Sequence, residues 1–280
     1  MSRDQRRAIL KDIVKDYQRG GFNPDRFVTV FGLVRDLVDI FEDTRNPKRM
    51  SDAGALVMKT YDAAARKHST PNELACKKGC GYCCHTRVTV TVPEAFLLAR
   101  AVRAQWEDPA HPFKGRFQAQ ETVTRGLSVA ERFAGRTACP ILLDGSCSQY
   151  EPRPLTCRAY GSKNLVACIE LYNQVSHNIP QSQTSQMMRS IIFAGLTAAL
   201  KHCKLDSTGY ELGHALTVAV DRGAEARWLA GENIFADVAP EVRTAERSEG
   251  HKSFDELVNA LMAGAYGKDI PPNPYFTWPA

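Results

Sequence analysis

Eight of the nine cysteines fall into two groups. The first is Cys76-Lys77-Lys78-Gly79-Cys80-Gly81-Tyr82-Cys83-Cys84, with the spacing C-x3-C-x2-C-C. The second comprises Cys139, Cys147, Cys157 and Cys168, and Cys203 stands outside both. Thiols packed this densely either bind metal or form disulfides. Thiolates are the usual ligands of zinc, at about 2.3 Å, and of iron–sulfur clusters. Cys80 and Cys83 make a C-x2-C hook around Gly81, a residue that permits a tight backbone turn. Cys76 adds a third thiol one turn earlier, and a fourth comes from Cys84 or from the second group. Adjacent Cys83 and Cys84 point in different directions on an extended backbone, which suits two ions or a larger cluster better than one small tetrahedral ion. Eight thiols match two four-ligand sites, or one four-iron cluster with four thiols left for another task.

Cations surround these thiols. Four thiolates on one divalent ion leave a charge of about −2 by simple counting, which Lys77, Lys78, Arg87, Arg153, Arg158 and Lys163 are placed to offset. For Lys77, Lys78 and Lys163 an ordinary surface position is an equally good reading. Arg153 and Arg158 lie inside the proline-bearing stretch Cys147-Ser-Gln-Tyr-Glu-Pro-Arg-Pro-Leu-Thr-Cys157-Arg158, where they are candidates to bond backbone or a cofactor or substrate carboxylate or phosphate. His85 follows the doublet and can join or support the site, whereas His177, His202 and His214 read as helix residues. Tyr150 and Tyr160 pack around the site, and Cys203 reads as a core residue.

The elements that must position these groups are mainly helical. Leu10, Ile13, Val14 and Tyr17 make one apolar stripe, capped by Ser2 and ended at Gly20-Gly21. Asn23-Pro24 opens a second helix whose buried face is Phe27, Phe31, Val34, Val38 and Phe41. A third spans Ser51 to Lys67 with Leu56, Val57, Tyr61 and Ala64, so three antiparallel neighbours precede the cysteines. The alternation from Arg87 to Val92 predicts a short strand. Helices follow from Pro93 and from Phe117 to Phe133. Asp144-Gly145 predicts a tight turn. The two prolines before Cys157 predict a stiff, irregular segment. Cys168 lies near the start of a helix reaching Val175, and further helices cover Gln183–Cys203, Glu211–Val220, Ala224–Leu229 and Phe254–Met262. The proline- and aromatic-rich end, 270–280, is not helical.

The expected fold is therefore mainly α: helical segments at 1–69 and 176–269 flank a loop-based metal region at 70–175, with an extended tail at 270–280, at most a short β element, and all of it in one globular unit. The apolar fraction of 44% supports a full-sized core that does not need disulfides. The amino terminus lacks the apolar stretch of a secretory signal, and no run approaches the roughly 20 residues that span a bilayer. The expectation is a cytoplasmic protein with reduced thiols, which favours metal over disulfides, and with no membrane contact. A net charge of +5 is too small for a nucleic-acid footprint.

The cysteine spacing together with Cys139-Pro140, Cys147 and Tyr150-Glu151-x-Arg153-Pro154-x-x-Cys157-Arg158 resembles the bacterial YkgJ-type cysteine cluster family. That resemblance covers roughly residues 70–175 and implies zinc or iron chelation. The cysteine signature is also similar to that of flagellin lysine-N-methylases, which implies an iron–sulfur cluster, S-adenosylmethionine and a protein substrate. The C-x3-C-x2-C subset matches radical enzymes that use the same cofactor, but their repeated strand–helix units are missing, as is any G-x-G-x-x-G or Walker-type loop. The expected metal ligands are Cys76, Cys80, Cys83, Cys84, Cys139, Cys147, Cys157 and Cys168, holding an iron–sulfur cluster (4Fe–4S) in preference to zinc. Three functional readings follow: a structural, sensory or iron-handling metal protein, a protein-modifying enzyme, and a zinc-stabilised module that docks a protein partner.

Overall fold

The computed structural model describes residues 24–70, 72–106, 113–175, 178–238, 258–259 and 261. The first expected helix, most of Phe254–Met262 and the proline-rich tail lie outside the described residues. The core is built from α1 (Pro24–Glu42), α2 (Arg49–His68), α3 (Val92–Trp106) and a later helix, α8 (Gln183–His202). Helix α1 packs on α2 and α8, and α2 packs on α3 and α8. Apolar residues at helical spacing drive this. Phe31, Val34, Val38 and Phe41 on α1 are buried, as are Leu56, Val57, Tyr61 and Ala64 on α2. Phe96, Leu98 and Val102 of α3 meet them with Leu196, Ala199 and Leu200 of α8.

Smaller elements hang on this core and carry the cysteines. Tyr82–His85 form one 3-10 turn, and β1 (Thr89–Val90) follows it. The expected strand from Arg87 to Val92 contracts to these two residues, because its pairing partner, β4 (Tyr210–Glu211), is equally short. Strands β2 (Leu142–Leu143) and β3 (Ser146–Cys147) form a hairpin. Its turn residues, Asp144 and Gly145, have φ of 48° and 74°, the left-handed pair that suits a two-residue hairpin.

Two helix expectations need correction. The single helix from Phe117 to Phe133 is two: α4 (Phe113–Thr124) and α5 (Val129–Ala134). Gly126, at φ 80°, ends the first, and Ser128 starts the second with a reciprocal capping box to Glu131. The proline-rich segment is irregular only as far as Pro154, after which Leu155–Ala159 form α6. Proline disrupts the turn before it but can stand at the start of a helix, and here Pro154 occupies the N-cap. Helix α7 (Leu165–Tyr172) carries Cys168 and is capped by Asn164, while α9 (Leu212–Ala219) packs on α3 and α4, and α10 (Ala224–Leu229) packs on α9 and sets Trp228 against Phe96. No helix among the described residues is long and apolar enough to cross a membrane.

Candidate metal centre

Backbone bonds bring the two cysteine groups together. The Cys139 N–H donates to the Cys84 carbonyl at 2.7 Å, joining the doublet directly to the start of the second group. Ala75 N–H donates to Ser162 O at 2.8 Å, and Ser162 N–H donates to the Cys76 sulfur at 3.3 Å. The Cys76 thiol in turn donates to Tyr160 O at 3.5 Å. Helix α7 packs against the 3-10 turn: the Tyr172 ring lies edge-on to Tyr82 and His85, with centroids 5.7 and 4.9 Å away, and Arg136 sits over its outer face.

Gly81 holds the hook close to the β2–β3 turn. Its φ of −110° is open to any residue, so the need for glycine is not the turn that its place in the C-x2-C hook suggests. A Cβ there would stand 2.8 Å from Gly145 O and 3.2 Å from the Leu142 side chain. Only a residue without a side chain lets the two loops approach this closely.

The thiols separate by neighbourhood. The Cys76 thiol is pushed up by desolvation and then by Cys83, Cys168 and Cys80 beside it. Cys80 is raised by burial, with Cys83 and Cys168 adding to it. On the other side, burial raises Cys139, with Cys157 and Cys147 as its thiol neighbours. Burial also raises Cys147 and Cys157, and both have Cys83 in range. Cys83 is raised first by its hydrogen bond with the Cys84 thiol. Cys76, Cys80 and Cys168 thus neighbour one another, as do Cys139, Cys147 and Cys157, and Cys83 is in range of members of both sets. Among the described residues, no three His, Cys, Asp or Glu side chains already stand as a coordination set. The thiols are gathered but not closed on a common point.

Two cations face them, Arg132 buried and Arg153 half-buried. The Arg153 guanidinium stacks 3.7 Å over the Tyr150 ring, donates to Tyr150 O at 2.6 Å, and opposes the upward shift of Cys83, Cys147 and Cys157. Arg132, which sequence reasoning did not single out, lies 3.4 Å from Glu211 with Cys139 also in range. Nothing in its local sequence marks it, since its partners come from three separate segments. Arg158 is occupied within the protein: it pairs with both Asp62 oxygens at 2.6 and 2.5 Å and donates to Arg153 O and Glu151 O. Lys163 pairs with Glu73 at 2.5 Å, and Lys77 and Lys78 are exposed. Tyr160 is pushed up to about 12 by burial and by Cys83, Cys168 and Cys76. Cys203 caps the end of α8 against the core, away from the other eight.

A carboxylate fixes Cys157. Glu94, buried in the first turn of α3, accepts from Thr91 N–H and Thr91 Oγ1 at 2.8 Å, and with its other oxygen from Leu155 N–H at 2.9 Å. The last bond holds the start of α6, and so Cys157, against α3. Gln186 Nε2 donates to Ala159 O at 2.8 Å and holds the other end. The capping-box spacing Thr91-x-x-Glu94 is the sequence signal for the local half of this arrangement.

Residues 75–178 match the family model CxxCxxCC, described as "Putative zinc- or iron-chelating domain". That description agrees with the resemblance the cysteines carry, although the first gap here holds three residues where the family's name spells two. No curated protein and no solved structure matches the chain. A cysteine-ligated, metal-binding role follows for this segment.

Proposed function

We propose that this chain is an iron–sulfur protein whose centre serves a structural, sensory or iron-handling role. The observation that carries the reading is that the two cysteine-bearing stretches meet, tied by the bond from Cys139 N–H to Cys84 O. Such a soft donor set suits zinc and iron–sulfur clusters rather than hard cations. Cys76, Cys80, Cys83 and Cys168 would hold one side, and Cys84, Cys139, Cys147 and Cys157 the other. When bound, a cluster supplies one-electron redox chemistry tuned by its surroundings. The surroundings here are specific. Burial raises the Cys139, Cys147 and Cys157 thiols above their ordinary range, and ligation, which needs thiolates, would release their protons. Arg153 and Arg132 supply fixed positive charge beside the thiols.

The four-and-four division favours a second reading, two closed zinc sites that stabilise an interaction module. Anaerobic purification separates the two. The cluster reading expects brown protein with iron and acid-labile sulfide in equal amounts, whereas colourless protein with two zinc ions per chain would replace it with the second.

A further inference from the structure

We propose that the cleft between α1, α2, α3 and residues 151–158 receives a basic side chain from a partner peptide. This goes beyond the metal reading and does not depend on which metal is held. The cleft encloses about 870 Å³, within the range of roughly 300–1,000 Å³ typical of ligand sites. Its floor is apolar, formed by Ile40, Leu56, Met58 and Leu97. Its rim carries five carboxylates, Asp39, Asp43, Asp52, Asp62 and Glu151, against three cations, Lys59, Arg100 and Arg158. Two cations are matched within the wall: Arg100 pairs with Asp52 at 2.7 Å and Arg158 with Asp62 at 2.5 Å. Five carboxylates against three cations give the lining a formal charge of −2, in a chain whose net charge is +5. Asp43 also meets Arg45 at 3.0 Å, but that arginine is 91% exposed, and such a surface pair is weak.

An apolar floor under a ring of carboxylates complements a lysine or arginine side chain, whose aliphatic stem packs while its charged head reaches polar groups. The cleft is larger than one such side chain fills, so flanking apolar residues of a peptide can cover the rest of the floor. A free polyamine would leave that floor unpaired. Glu151, Pro152 and Arg158 belong to the stretch around Cys147 and Cys157, so the bound peptide would lie against the segment that carries two of the proposed ligands.

The test is calorimetry on the full chain with an acetylated, amidated pentapeptide carrying one lysine between leucines. Controls are the same peptide with glutamate at the centre, and spermidine. The lysine peptide is expected to bind at least tenfold more tightly than either control, and to weaken with added salt. The double variant Asp39→Asn, Glu151→Gln is expected to weaken it about tenfold. Lys59→Met, which removes a cation from the cleft lining, is expected to tighten it several-fold, an effect that misfolding cannot mimic. Carbodiimide coupling should join the peptide lysine to Asp39, Asp43 or Glu151. The proposal is overturned by absent binding, by equal binding of either control, or by coupling of these carboxylates to lysines in the chain's own first 23 residues.

Discussion

Removing the Glu94 carboxylate tests how the helical core fixes the cysteine site. Glu94 is only 3% exposed and accepts from two backbone N–H groups, those of Thr91 and Leu155. In Glu94→Ala both donors lose their acceptor inside the protein. An unsatisfied buried donor costs about 1–3 kcal/mol, and more when its partner was charged. Two of them give a loss of about 4 kcal/mol. At roughly 2–4 °C per kcal/mol for a chain somewhat shorter than this one, thermal unfolding should shift down by roughly 8–16 °C. Glu94→Gln keeps one carbonyl oxygen, so one donor stays satisfied while the other faces an amide NH2, and the shift should be about half as large. Freeing the start of α6 also frees Cys157, so metal content should fall in the same order. The assays are differential scanning fluorimetry and metal analysis on the same preparations. An alanine variant that melts within about 2 °C of the parent with full metal content would refute the reasoning.

Gly81→Ala places a methyl group 2.8 Å from Gly145 O. Overpacking there should cost about 1–3 kcal/mol and reduce metal content, as read by denaturant titration and elemental analysis. Arg158→Lys keeps the charge but cannot reproduce the fork that bonds Asp62, Arg153 O and Glu151 O; a loss of about 1–3 kcal/mol in urea unfolding is expected. His214 is buried beside Thr124, and desolvation lowers its pKa below the ordinary 6.5. The unfolded chain therefore binds more protons between the folded pKa and 6.5, so stability should fall as pH drops below 6.5 and level off beneath the folded value. His214→Gln should flatten that part of a melting-temperature profile; an unchanged profile would remove His214 as its cause.

The helical core was legible because its signal is local. Phe31, Val34, Val38 and Phe41 recur at helical spacing, and all four are buried. The grouping of the cysteines was equally plain, and the tight turn at Asp144-Gly145 followed from residue types that accept left-handed backbone. What was hidden depends on partners distant in the chain. Nothing near Glu94 says that its second oxygen will hold Leu155, and nothing near Arg158 points to Asp62. Gly81 is needed for the approach of a loop 64 residues later, not for its own φ. The break between α4 and α5 was visible in Gly126 and the Ser128–Glu131 cap, yet the apolar pattern running across them suggested one helix. The start of α6 was obscured because a proline argues against the helix before it more strongly than it announces the helix after it.

The central claim is that the eight gathered thiols hold metal, and iron–sulfur in particular. The most direct measurement is iron, zinc and acid-labile sulfide per chain in anaerobically purified protein, with thiol alkylation before and after chelation. The account predicts iron and sulfide in equal amounts, with the eight cysteines shielded until the metal is removed and Cys203 unaffected by that removal. Zinc without iron would contradict the cluster, and metal-free protein with all thiols equally reactive would contradict the centre itself.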